Sequence, residues 1–159
     1  EETTMGPMAR VDLRDELHQQ VLDSINAGAL AVTGCAPEDH PGAYYQASIL
    51  DQVRPGMRAY DEELFGPVAI VIRARDEADA VAIANSSRFG LGGSVWTADS
   101  ERGERVARQL QCGCAFVNGM VKSDPRLPFG GVKASGYGRE LSRHGIREFV
   151  NTKTVWIRQ

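Results

Sequence analysis

Apolar residues recur four apart at Leu13, Leu17, Val21 and Ile25, the spacing of one helical face. Asp12 is placed to cap that helix and Gly28 to end it, so it should run to about Ala27 behind a turn at Met5–Met8. Short apolar runs follow at Leu30–Thr33 and Ser48–Val53, the second closed by Pro55-Gly56, and both predict strands. Between them, 34–43 carries two prolines, two glycines and mixed charge, and reads as an exposed loop. Val68–Ile72 is continuous and β-branched, the pattern of a strand buried on both faces.

From there strand and helix alternate. Asp76, with Asp79 three residues on, predicts the cap of a helix carrying Ala78, Val81, Ala82 and Ala84 to near Asn85. A strand centred on Ser94–Thr97 precedes a helix capped by Asp99 or Ser100 and running through Leu110. Gly113 then leads into a strand at Cys114–Asn118. This spacing predicts parallel strands with right-handed crossovers, an α/β fold whose ligands gather beyond the carboxyl ends of the strands. A short helix should follow Arg139 as far as Phe149, with a break near His144-Gly145. Thr152–Arg158 alternates and is rich in β-branched and aromatic residues, so it predicts a terminal strand that must pair with something, such as another subunit.

Composition narrows the class. With 159 residues, 42% apolar and 25% charged, the chain is large enough for a true core and unlike a disordered one. A net charge of −3 provides no basic footprint for nucleic acid, and no apolar run approaches the length of a membrane span. Three cysteines without framework spacing, and an N-terminus without signal-peptide character, point to a reducing cytoplasm. The chain opens Glu1-Glu2-Thr3 without a methionine, which suggests a piece of something longer.

The candidate chemistry is concentrated in two stretches. Leu127–Glu140, LPFGGVKASGYGRE, surrounds Phe129, Lys133 and Arg139 with glycines, a composition suited to a shaped loop. It is neither a Walker loop, since Tyr137 stands where lysine is needed, nor a GxGxxG fingerprint. It follows the strand ending at Asn118, on the ligand side of a parallel sheet. The second stretch, 58–67 (RAYDEELFGP), sets acids before Phe65 and a Gly-Pro turn, where a carboxylate could accept bonds from a ligand's hydroxyls. No nucleophile stands out. Cys112 and Cys114 form C-x-C at the mouth of a strand, with neither helix N-terminus nor cation to lower a thiol pKa. Cys35 and His40 lie in a loop with no second ligand at metal spacing, so no metal site is expected.

EELFGPV, the βαβαβ run, FVNG and LPFGGVKASGYGRE together resemble the NAD(P)-dependent aldehyde dehydrogenases, from Gly6-Pro7 to Thr154. NGMVKSDPRLPFGGVKASGYGREL and REFVNTKTVWI most resemble the bacterial succinate-semialdehyde dehydrogenases within that family. The resemblance implies that a cysteine thiolate attacks the aldehyde to form a thiohemiacetal and a hydride passes to nicotinamide of NADP or NAD. A glutamate-activated water then releases the acid. By the same resemblance Glu63 matches the glutamate that bonds the nicotinamide ribose, and Phe65 the aromatic beside that ring. Phe129 matches an aromatic of the aldehyde tunnel, and Ser123 a serine that helps hold the distal carboxylate of succinate semialdehyde.

The family's Rossmann segment, general-base glutamate and nucleophilic cysteine all precede the matched region, and Cys112 and Cys114 fall where the family has small residues. The expectation is therefore residues 1–150 as the C-terminal portion of the catalytic domain and 151–159 as an oligomerisation strand of a homo-oligomer. The chain by itself should neither turn over aldehydes nor bind NAD(P) tightly. The alternative is a non-catalytic oligomerisation or interaction module derived from the family.

Overall fold

The first helix, α1 (Val11–Asn26), turns Leu17, Val21 and Ser24 inward, as the spacing of apolar residues predicts. Asp12 is not its cap. Arg10 holds that position in extended conformation, and Asp12 sits inside the first turn, where the Arg10 guanidinium takes its carboxylate at 2.8 and 2.9 Å. The far end is closed as expected by Gly28, whose φ of 105° favours glycine. Gly28 N–H donates to the Ile25 carbonyl and Ala29 N–H to that of Ser24, both at 2.9 Å, the paired bonds of a Schellman motif.

The computed structural model describes residues 4–159, which form two compact units, one ending at Arg75 and the other spanning Asp76–Gln159. Glu1–Thr3, which prompted the expectation of a longer protein, lie outside the described residues. In the first unit β1 (Leu30–Thr33) pairs antiparallel with β2 (Ser48–Asp51), and β2 pairs parallel with β3 (Val68–Ile70), in the order β1-β2-β3. Central β2 buries Ser48 and Leu50. Leu50 joins Val21, Ala29, Cys35, Val53, Met57 and Ala59 in one cluster under α1 and the short helix α2 (Arg58–Asp61). The expectation of β3 as doubly buried fails: Ala69 and Ile70 are exposed, because β3 is a sheet edge in this chain. The 34–43 loop is also less open than expected. A Pro37–Tyr45 bridge folds it back, burying Cys35, Ala43 and Tyr45.

The second unit starts with α3 (Glu77–Ser86), capped by Asp76, whose carboxylate accepts the Asp79 N–H at 2.8 Å. β4 (Gly92–Val95) and β5 (Cys114–Val117) pair in parallel, joined by α4 (Ser100–Ala107). Asp99 caps α4 by accepting the Arg102 N–H at 3.0 Å. That helix stops before Leu110 because the chain tightens to three-residue bonds, Gln109 N–H to Val106 and Leu110 N–H to Ala107. The strands Val68–Ile70, Gly92–Val95 and Cys114–Val117 therefore divide between two sheets, with parallel pairing in each. α5 (Ser142–Glu148) runs unbroken through His144-Gly145. Gly145 serves close packing there, since a Cβ would sit 2.7 Å from the Glu140 carbonyl carbon. Residues 150–159 form no strand in the single chain, and Val155, Trp156 and Ile157 are largely exposed.

Candidate functional site

In the glycine-rich stretch, the cations turn toward the chain's own backbone. Lys133 Nζ donates to the carbonyls of Asn85 (2.7 Å) and Ser87 (3.0 Å), and Arg139 to those of Gly131 (2.9 Å) and Gly138 (2.6 Å). The single 3₁₀ turn Lys133–Ser135 is stitched to the segment before β4 by Val132 N–H to Gly90 O, Ala134 N–H to Arg88 O, and Gly90 N–H to Ser135 Oγ, each 2.9 Å. Gly113 exists for contact: a side chain there would overlap the Gly130 carbonyl. The stretch is a packed loop held by its own cations, not an anion cradle.

That packing places Phe129. Its N–H and C=O exchange bonds with Glu140 at 2.9 and 2.8 Å, and the half-buried ring borders a hollow of about 370 Å³ with Leu91, Tyr137, Arg139 and Glu148. Ser123 is exposed and enters a locked turn. The Asp124 carboxylate accepts the Arg126 N–H (2.9 Å) and its guanidinium (2.9 and 2.6 Å), and those bonds hold the carboxyl well below the usual carboxylate range. The same turn borders a broad surface groove of about 870 Å³ lined by Pro125, Leu141, His144 and Phe149.

Glu63 and Phe65 lie in the first unit, on the turn after α2. Phe65 is 74% exposed and edges an apolar hollow of about 290 Å³ with Met8, Ala9, Leu13 and Leu64. Glu63 is exposed, and its carboxylate has no hydrogen-bond partner among the described residues. The turn behind them is well anchored. Gly66 packs so closely on α1 that a Cβ would overlap Leu17. Buried Gln20 donates to the Glu62 carboxylate (2.8 Å) and the Glu63 carbonyl (3.2 Å). Arg58 bridges Glu62 (2.8 Å) to Asp23 (3.0 Å). Fully buried Ser24 donates to the Gln20 carbonyl (2.7 Å) and accepts the Ala59 N–H (2.9 Å). An acceptor-only carboxylate beside a bare aromatic face suits a ligand with vicinal hydroxyls and a flat ring. Gln20 and Ser24 belong to no motif, yet they share the inward stripe of α1 with Leu17 and Val21. Polar residues on an apolar stripe were the available signal.

The thiols are unsuited to attack. All three are free, and burial pushes both Cys35 and Cys114 up, away from the thiolate. Cys112 Sγ donates to the Cys114 carbonyl at 3.1 Å. His40 Nδ1 meets the Pro41 carbonyl at 2.8 Å and its ring packs edge-on to Tyr44. Among the described residues no group of His, Cys, Asp and Glu could hold a metal ion, and no helix is long and apolar enough to cross a membrane.

Comparison with known proteins agrees with this architecture. The chain is 50% identical over 153 residues to a succinate-semialdehyde dehydrogenase [NADP(+)] of Deinococcus radiodurans, covering 96% of this chain and 32% of the relative. It is 47% identical over 156 residues to succinate semialdehyde dehydrogenase [NAD(P)+] Sad of Escherichia coli, covering 98% and 34%. A crystal structure of succinic semialdehyde dehydrogenase from Streptococcus pyogenes, in complex with NADP+, superposes with a TM-score of 0.95 at 35% identity, over 99% of this chain and 35% of that one. The chain thus spans about a third of the length of the relatives it matches. The sequence pattern of the aldehyde dehydrogenase family matches residues 1–155, and the chain belongs to that family.

Proposed function

We propose that these residues are the part of an NAD(P)-dependent aldehyde dehydrogenase that receives the nicotinamide end of the cofactor and one wall of the aldehyde site, with succinate semialdehyde as substrate. The observation that carries the reading is the Glu63–Phe65 turn, where an unpaired carboxylate and a bare ring are held on a firmly bonded support. These groups fit a nicotinamide riboside. The carboxylate can accept from both ribose hydroxyls, and the phenyl face can pack beside the ring. A nicotinamide held there would supply the acceptor for the hydride of the substrate carbon. Glu63 orients the ribose and Phe65 shields the ring from water. Phe129 lines the aldehyde passage, and the Ser123 hydroxyl donates to the distal carboxylate of the substrate. The reacting thiolate and the general base belong to other parts of the enzyme.

The exposed apolar side chains of Val155, Trp156 and Ile157 support a homo-oligomer, dimer or tetramer, in which 151–159 completes a neighbour's sheet. Free thiols at all three cysteines are in keeping with a reducing cytoplasm. The experiment is a dehydrogenase assay of the complete protein that contains these residues, with succinate semialdehyde and either NADP+ or NAD+. Nucleotide reduction that falls in Glu63→Ala and Phe65→Ala through weaker nucleotide binding is expected. Robust reduction by the 159-residue chain by itself would overturn the division of labour, and no reduction by the complete protein would overturn the reading.

A further inference from the structure

We propose that Gln20 is the positioning residue of the cofactor-facing turn, aiming Glu63 through its backbone carbonyl. The inference rests on the reading that Glu63 and Phe65 meet the nicotinamide riboside. The Glu63 carboxylate has no partner among the described residues, so nothing directs it from its own end. Its direction is therefore set by the backbone, which the Arg58 carbonyl holds at the Glu62 N–H (2.9 Å) and Gln20 holds at the Glu63 carbonyl. Gln20 Nε2 carries two N–H groups and both point at the turn, one to Glu62 Oε2 at 2.8 Å and one to the Glu63 carbonyl oxygen at 3.2 Å. Fixing that carbonyl fixes the peptide plane between Glu63 and Leu64, and with it the exit direction of the Glu63 side chain. Gln20 is 7% exposed, so water is a poor substitute for the amide.

The bond to Glu62 closes a ring of polar contacts. Asp23 and Gln20 lie one helical turn apart on α1, Asp23 accepts from Arg58 at 3.0 Å, and Arg58 grips Glu62 at 2.8–3.0 Å. Glu62 keeps Arg58 if Gln20 is lost, whereas the Glu63 carbonyl loses the side-chain donor that reaches it from α1. The contribution of Gln20 is thus separable from the stability of the helix pair. Ser24, one turn further along, bonds α2 at Ala59 and does not touch Glu63.

The test uses the complete protein that contains these residues, with NADP+ and NAD+ each titrated by calorimetry and urea denaturation run in parallel. Gln20→Met removes both donors at constant length. Gln20→Asn retains the amide but withdraws it by about 1.5 Å, one C–C bond. Both variants should weaken nucleotide binding about tenfold, the worth of a buried hydrogen bond, whereas Ser24→Ala should stay within about twofold despite its cost in stability. KM for the aldehyde should not move. Should Ser24→Ala weaken binding as much as Gln20→Met, the role of Gln20 is merely structural and the proposal fails. It fails as well if both Gln20 variants bind normally while Glu63→Ala and Phe65→Ala do not, and the cofactor reading then survives. If Glu63→Ala and Phe65→Ala also bind normally, the cofactor reading itself falls and the proposal with it.

Discussion

Removing the Ser24 hydroxyl should loosen the first unit by about 2 kcal/mol, and the figure can be worked from three contributions. Ser24 is fully buried, and its oxygen accepts the N–H of Ala59 at 2.9 Å. Ala59 is the second residue of α2, whose N-cap, Met57, has no side chain able to take an orphan N–H. Ser24 thus caps α2 from another helix. In Ser24→Ala that N–H stays buried without a partner, at about 1–3 kcal/mol. The donation to the Gln20 carbonyl at 2.7 Å is also lost, but an i−4 carbonyl retains the helix's own bond and the loss is small. Alanine returns about 0.5 kcal/mol of helix propensity. The net is about 2 kcal/mol, or about thirtyfold faster exchange of the α1 and α2 amides where local opening governs them. Hydrogen exchange by mass spectrometry resolves those peptides, whereas the tryptophans, Trp96 and Trp156, both lie in the other unit. A change below about 0.5 kcal/mol would refute the account of Ser24 as a cap.

Gly113→Ala should destabilise the second unit by about 1–3 kcal/mol, because the new methyl meets rigid backbone at Gly130 and Gly131 rather than a yielding side chain. Exchange in the 127–136 loop should rise most, and an unchanged loop would show that the contact relaxes freely. Asp99→Ala should cost about 1 kcal/mol through loss of the Arg102 N–H acceptor, read as a lower urea midpoint. Tyr45 is pushed up to about 12 by burial, with a smaller contribution from Cys35. A phenol raised above its ordinary value near 10 lends stability that is whole below pH 10 and lost as pH climbs through 12. Its phenolate absorbance should therefore emerge together with alkaline unfolding of the first unit, and ionisation of all four tyrosines in a still-folded chain would contradict this.

Much of the fold was legible because the deciding interactions are local. Asp76 and Asp99 cap the helices their position predicts, Gly28 ends α1, and β1 occupies Leu30–Thr33 as read. The misreadings share a cause: each concerns a contact made far along the chain. Val68–Ile70 has the composition of a doubly covered strand, yet cover depends on what flanks the edge. A break near His144-Gly145 fits the local sequence, whereas Gly145 lies inside α5 and serves close approach to Glu140. The sequence leaves the partners of Lys133 and Arg139 in the glycine-rich loop open, and folding bonds both to backbone carbonyls. The terminal 151–159 segment is a different case: its strand composition calls for a partner, and it forms no strand in the single chain.

The candidate site divides along the same line. Residue pattern alone marks the acids before Phe65 and the glycines around Phe129 as candidate stretches, whereas Ser123 and the particular roles of Glu63, Phe65 and Phe129 come only from family likeness. Gln20 and Ser24 are part of no motif, and they stand out only once the α1 stripe is seen to hold polar atoms at 7% and 0% exposure. The physical logic is complementary. On the proposed reading, groups that meet a ligand are left without partners, and Glu63 and Phe65 are both exposed. Groups that hold the support must be fully bonded, so Gln20 and Ser24 are buried. Substitution in the first pair should therefore change binding at little cost in stability, and Ser24→Ala should do the reverse. Gln20, bonded to the very residue it aims, should change binding while Arg58 keeps Glu62 and Asp23 joined and so holds the helix pair.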